Sequence, residues 1–264
     1  MTWNLWWRFG PWERRQQAIL DTIRAVSPDA LCVQEVWVDA DGDLATIIAT
    51  ELGYHAVRSE AIGHHSVGFA NAVLSRWPST PLADEALPQR DGTAGHRRVV
   101  AASVATPWGP WPIASTHLDH RFDQSVTRQR QVERLLQLAS DWRGDVTSDL
   151  PVVVGGDLNA LPDSDQLRLL TGRRDGVQGI VMSDAWEQCG VGPGTTWRRT
   201  NPNTADSAWP DRRIDYVLVS WPRPKPTGNP ISAHLVGTDP VDVDGSQVWA
   251  SDHAAVVVDL ATPS

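Results

Sequence analysis

Pro151-Val152-Val153-Val154-Gly155-Gly156-Asp157-Leu158-Asn159 decides the reading of this chain. Val152 to Gly155 is a short, fully apolar run bounded by turn residues, which reads as a core strand. Two glycines then let the backbone approach a ligand closely. Asp157 and Asn159, two residues apart and beyond the strand end, can aim at one spot across a turn.

The same layout, an apolar strand tipped by a carboxylate, carboxamide or imidazole, recurs along the chain. Thr2-Trp3-Asn4-Leu5 carries Asn4. Ala30-Leu31-Cys32-Val33-Gln34-Glu35 delivers Glu35, and a glutamate ending a buried strand is costly unless paired, exposed or metal-bound. Ser115-Thr116-His117-Leu118-Asp119 ends in His117 and Asp119. Arg213-Ile214-Asp215-Tyr216-Val217 alternates, with Ile214, Tyr216 and Leu218 on one face and Asp215, Val217 and Val219 on the other. Ser251-Asp252-His253 precedes the run Ala254 to Val258. Carboxylate and amide oxygens gathered in one place suit a hard cation such as Mg²⁺. A histidine beside acidic partners suits proton transfer or phosphate stabilisation, and an Asp215–His253 pair would fix the imidazole tautomer and favour its charged form.

Between these segments, helices are expected over Glu13–Val26, Leu44–Leu52 (stopped by Gly53), Asp123–Arg143 and Asp163–Leu170, the last capped by Asp163 or Ser164. Strands are expected at Thr2–Trp6, Ala30–Val33, Phe69–Ser75, Val99–Thr106, Trp111–Thr116, Arg213–Ser220 and His253–Leu260. Thr196–Asp211 and the proline-rich Trp221–Pro230 read as loops. The elements mix without a strict βαβ rhythm, which favours an α/β fold with a pair of mixed sheets flanked by helices. The motifs run from one end of the chain to the other and must converge, so residues 1–264 read as a single domain.

Composition sets outer bounds. The chain has 264 residues, 41% of them hydrophobic, enough for a sizeable core. No apolar run approaches the ~20 residues of a membrane span, and no secretory signal precedes the first motif. Thr2 already lies in the first strand, which leaves upstream residues of that strand open. Cys32 and Cys189 are the only cysteines and form neither a disulfide framework nor a zinc motif. Cys32 reads as a buried small hydrophobe, and a reducing cytoplasm is the expected location. The net charge of −9 argues mildly against a broad groove for long duplex DNA. Lys225 is the only lysine, so arginines supply nearly all positive charge, several beside the motifs: Arg97, Arg98, Arg121, Arg128, Arg130, Arg198, Arg199, Arg212 and Arg213. A GC-rich genome would also explain that bias. Most of the 14 tryptophans read as core or rim packing, with one or two free to stack a flat group at a site mouth.

Taken in order, these segments resemble the endonuclease/exonuclease/phosphatase superfamily of metal-dependent phosphoesterases, which includes DNase I, abasic endonucleases and neutral sphingomyelinases. The resemblance runs from residue 2 to residue 260. It implies a four-layer α-β-β-α sandwich with the site at one edge of two packed sheets. It implies Mg²⁺ or Mn²⁺ held by Glu35, Asn4 and Asp252. It makes His117, Asp157, Asn159, Asp215 and His253 catalytic: Asp157 orients or deprotonates water, Asn159 binds phosphate oxygen, and His117 stabilises the pentacovalent phosphate. His253 then serves as general base or phosphate ligand beside Asp215, and Asp119 orients His117 or a neighbour. Asn71 resembles a residue lining the site, whereas His64, His65, His96 and His120 have no firm role. The expected activity is that of a phosphodiesterase or nuclease working as a monomer, with a small phosphodiester, a nucleotide, single-stranded RNA or DNA, a phosphoinositide or a sphingomyelin-type headgroup all open as substrate. The alternatives are a phosphomonoesterase on a small phosphorylated metabolite or inositol phosphate, a non-catalytic binding module on the same fold, and a zinc hydrolase, for which no histidine spacing argues.

Overall fold

The computed structural model describes residues 1–63 and 66–263; His64 and His65 lie outside the described residues. In chain order the strands are β1 (Thr2–Asn4), β2 (Ala30–Val38), β3 (His55–Arg58), β4 (Gly68–Ser75), β5 (Ser79–Pro88), β6 (Ala94–Thr106), β7 (Gly109–His117), β8 (Val153–Asp157), β9 (Val181–Asp184), β10 (Asp215–Trp221), β11 (Pro230–Val236), β12 (Val241–Val243), β13 (Ser246–Val248) and β14 (Ala255–Leu260). The helices are α1 (Trp12–Val26), α2 (Leu44–Leu52), α3 (Ser125–Trp142), α4 (Asp165–Leu170) and α5 (Ala185–Cys189).

Two six-stranded sheets form, ordered β11-β14-β1-β2-β4-β3 and β5-β6-β7-β8-β10-β9, with β12-β13 as a separate hairpin. Both sheets are mixed: β1 is parallel to β2 and antiparallel to β14, and β7 is parallel to β8 while β10 is antiparallel to it. The period-2 alternation of side chains sorts the core into three layers. Leu31, Val33, Ala72 and Leu74 of the first sheet pack outward on Ile19, Ile23 and Ile48 of α1 and α2. Cys32 and Val73 face inward, onto Val100, Ala102, Ile113, Val153 and Val217 of the second sheet. That sheet's outer face, including Val99, Ala101, Val154, Tyr216 and Leu218, meets Val132, Leu135 and Leu136 of α3 and Leu167 and Leu170 of α4. The result is the expected α-β-β-α sandwich.

The glycine pair serves the sheets rather than a ligand. A Cβ on Gly155 would lie 2.6 Å from Cys32 Cβ and 3.0 Å from Thr2 Cβ, both on the opposite sheet. A Cβ on Gly156 would sit 2.3 Å from the Thr116 carbonyl oxygen on neighbouring β7. Hydrogen bonds cross the same narrow gap: Gln34 Nε2 donates to Ser115 Oγ at 2.9 Å, and Ser115 Oγ donates to the Val33 carbonyl at 2.9 Å.

Several elements differ from their sequence reading. β1 stops at Asn4, because Trp6 and Trp7 take positive φ of 58° and 37° and turn the chain. β2 continues past Val33 to Val38 through a bulge. The four sheet-edge strands, β3, β5, β9 and β11, were not expected from sequence; edges tolerate prolines, charged side chains and short strands, which blurs the alternation. Among the described residues, no helix is long and apolar enough to cross a membrane.

The fit at Gly155 is testable. Gly155→Ala forces a methyl against Cys32 and Thr2, and overpacking of this kind costs about 1–3 kcal/mol. We expect a lower urea midpoint with unchanged slope; an unchanged midpoint would show that the sheets have room to spare.

Candidate active site

Strand register brings the site together. His117, at the end of β7, pairs with Asp157, at the end of β8, and Asp157 pairs with Asp215, at the start of β10. Each lies in its strand's inward-facing row, following Ser115, Gly155 and, in the opposite direction, Val217. On the other sheet Asn4 pairs with Gln34. The inner rows are therefore apolar at depth and polar at one edge, and the polar ends of both sheets meet there.

Asn4 is the bridge between the sheets. Its Nδ2 donates to Glu35 Oε1 at 3.3 Å and to Asp157 Oδ2 at 3.1 Å, while its Oδ1 accepts from Trp6 N–H at 3.0 Å. Glu35 reaches this position through the bulge, where Gln34 and Glu35 together oppose Asn71. A regular strand would have turned Glu35 toward α1. Its φ of 54° is a left-handed conformation rarely held by glutamate, whereas the 47° of Asn159 lies in the same region, which asparagine tolerates.

His253 Nδ1 is 2.9 Å from Asp215 Oδ2, which leaves Nε2 facing Asp157 Oδ2 at 3.9 Å and Asp252 Oδ1 at 4.0 Å. On the other side of Asp157, His117 Nε2 lies 3.4 Å from Oδ2 and 3.1 Å from Asn159 Nδ2. Asn159 N–H also donates to Asp157 Oδ1 at 2.9 Å. Asp119 does not touch His117 in the expected way; its carboxylate accepts from Arg121 N–H at 2.9 Å. Asn71 is buried and lines the cleft beside Glu35 and His117, its Nδ2 donating to the Arg98 carbonyl at 2.9 Å.

Three supports had no role assigned from sequence. Buried Arg15 donates from Nη1 to the Leu5 and Ala250 carbonyls at 3.0 and 2.8 Å, and from Nη2 to Trp6 and Trp7 at 2.8 and 2.7 Å. This clamp ties the turn after Asn4 to the segment before Asp252. Thr196 accepts from Ile214 and Asp215 N–H at its hydroxyl, while its carbonyl accepts from Ala254 N–H at 2.7 Å. Arg97 shares the cleft with Glu35 and His117 and lies 2.8 Å from His120 Nδ1, which gives His120 a partner. The run Arg97-Arg98 was the one available signal for it.

Electrostatics follow from burial. Burial, then Asp215, pushes Asp157 up to about 6 against the pull of His253. Burial also drives Asp252 up to about 6, with Glu35 and Asp215 adding to it and His253 and Arg15 opposing. Glu35 is raised chiefly by burial. Burial and then Arg97 hold His117 well below its ordinary value, so its imidazole is neutral. For His253 burial alone would favour the neutral form, but Asp215 and then Asp252 outweigh it and keep the ring charged.

A divalent cation fits this donor set. Glu35 Oε2 and Asp215 Oδ1 are buried without a hydrogen-bond partner. Glu35, Asp157 and Asp252 are all raised, and a cation among them would offset their burial and repulsion. Asp157, Asp215 and His253 also place ligand atoms within 4.8 Å of one another, though Asp215 and His253 engage each other there.

A sequence model of the Endonuclease/Exonuclease/phosphatase family matches residues 1–253. The chain belongs to that family. The family's name covers endonucleases, exonucleases and phosphatases. It is 26% identical over 235 residues to Protein angel of Drosophila melanogaster, covering 80% of this chain and 60% of that protein's length. Its fold is similar to D. rerio TDP2 complexed with single-strand DNA product, with a TM-score of 0.74 and 19% identity over 97% of this chain and 96% of the other. It is also similar to the human Nocturnin catalytic domain with bound sulfate, with a TM-score of 0.72 and 24% identity over 98% and 91%.

The raised carboxylates make the family site costly to fold without a cation. Asp252 near 6 in the fold stands above an unfolded aspartate at about 3.9. Such a group favours the fold below the lower value and loses that contribution as pH rises through the upper one. In EDTA, Asp252→Asn should therefore melt higher than the unsubstituted protein at pH 8, with the gap closing toward pH 4. A lower melting temperature at pH 8 would contradict this.

Proposed function

We propose that this chain is a Mg²⁺- or Mn²⁺-dependent phosphodiesterase that cleaves nucleic acid or a nucleotide by attack of water in line with the leaving oxygen. The observation carrying this reading is the row His117–Asp157–Asp215, completed by His253 and by a Glu35 with one unpaired buried oxygen. The nucleic-acid substrate is supported by the shared fold with a TDP2 that holds a single-strand DNA product. We take residues 1–264 as one catalytic unit, since its parts span Asn4 to His253.

Glu35 and Asp252 would hold the cation, with Asn4 orienting Glu35 and Asp157 through its Nδ2. The bound cation would supply Lewis-acid stabilisation of the charge that develops on phosphate. Asp157 is the base: raised toward neutrality and held by Asn4 and Asn159, its carboxylate accepts the water proton. His253, protonated and fixed through Nδ1 by Asp215, presents Nε2–H as a donor to phosphate oxygen. His117 stays neutral and, with Asn159, contributes polar contacts to the same phosphate without adding charge. A His253 held in its charged form favours phosphate binding over proton abstraction, so of the two roles open to it, that of phosphate ligand is the better supported.

The test is hydrolysis of single-stranded oligonucleotides and a chromogenic phosphodiester, with Mg²⁺, Mn²⁺ or EDTA. Activity should require the metal. Asp215→Asn and His253→Ala should each lose about 10²–10⁴-fold, and the double variant little more, because the two side chains act as one unit. Fully additive losses would refute the pairing. Cleavage of monoesters with no diester turnover would refute the phosphodiesterase assignment.

A further inference from the structure

A ladder of flat groups leads out of the site. Trp197 forms isolated bridges with His253 and with Arg212. The Arg212 guanidinium stacks between two rings, 4.4 Å from the Trp197 centroid and 5.1 Å from that of Phe122. Phe122 in turn stacks on Trp209, with centroids 3.8 Å apart and planes 18° from parallel. Phe122 is 51% exposed and Trp209 45% exposed. The ladder thus begins beside catalytic His253 and ends on rings open to solvent.

Its polar environment matches a polyanion. Arg212 Nε is buried without a hydrogen-bond partner, and the guanidinium is close enough to Asp157 and Asp215 for their charges to act on it. Arg121 adjoins Phe122, and Arg97 lies in the cleft with Glu35 and His117. Cations therefore accompany the rings between the catalytic carboxylates and solvent. Stacked rings interleaved with arginine, beside a site for phosphate esters, suit a chain whose phosphates meet cations and whose bases expose a π-face. Duplex bases hide those faces in their own stack.

We infer that Trp209, backed by Phe122, offers its outer face as a stacking shelf for an unpaired nucleobase flanking the scissile phosphate, with Arg212 on the backbone side, so that the substrate is single-stranded nucleic acid. This rests on the phosphodiesterase reading above and narrows it. The shelf selects for the presence of a base rather than its identity, because every base offers a π-face.

Binding measured without turnover separates the two readings. Fluorescence anisotropy in EDTA would compare a labelled single-stranded oligonucleotide, a base-free sugar–phosphate strand of equal length, and a duplex. The unsubstituted protein should bind the base-bearing strand about tenfold more tightly than the base-free one, and more tightly than the duplex. Trp209→Ala should erase that preference while leaving base-free binding unchanged, and Trp209→Phe should restore most of it. Equal losses on both strands, retained preference in Trp209→Ala, or a duplex bound as tightly as the single strand would overturn the shelf. Absent metal-dependent hydrolysis would instead strike the phosphodiesterase reading, whatever the anisotropy shows.

Discussion

Everything at the site depends on how closely the two sheets approach at Gly155. The hydrogen atom there replaces a Cβ that would stand 2.6 Å from Cys32 Cβ. With the gap this narrow, Gln34 and Ser115 can join across it, and the next inward residues, Asn4 on one sheet and Asp157 on the other, fall within a hydrogen bond of each other. A wider sandwich would leave two half-sites. The same packing that excludes water from the apolar layer thus fixes distances among polar groups at its edge, because close-packed interiors transmit small shifts rather than absorb them.

That arrangement carries an energetic conflict. Burial raises Glu35, Asp157 and Asp252 together, while Glu35 and Asn159 hold left-handed backbone. Opposing this, Arg15 donates to four carbonyls of the turn after Asn4 and to that of Ala250, and Thr196 joins the segments bearing Asp215 and His253. Groups that do no chemistry hold in place groups that would otherwise move apart. Sites of this kind trade stability for preorganised charge.

The sequence exposed much of this because of where the candidate site residues sit. His117, Asp157 and Asp215 end apolar runs whose alternation is clear, so both strand and side-chain direction could be read. The α-β-β-α layering was legible through resemblance and through mixed strand order. Glu35 was placed at a strand end, yet β2 runs on to Val38, and nothing in Val33-Gln34-Glu35-Val36 marks the bulge that turns it inward. Arg15 looked like one charge among several at a helix start, since only the folded turn supplies the carbonyls it binds. The edge strands β5 and β11 carry too little apolar alternation to declare themselves. Phe122 and Trp209 meet across loops 87 residues apart in sequence, a juxtaposition that periodicity does not encode.

The central claim is that the meeting edges of the two sheets form a divalent-cation site organised by Glu35. The most direct measurement is titration of Mn²⁺ with protein, following the free-ion signal by electron paramagnetic resonance, for the unsubstituted chain and Glu35→Gln at pH 7.5. The account predicts saturable loss of free-ion signal with the unsubstituted chain and little with Glu35→Gln, both folded by circular dichroism. Equal binding by the two proteins, or none by either, would contradict it.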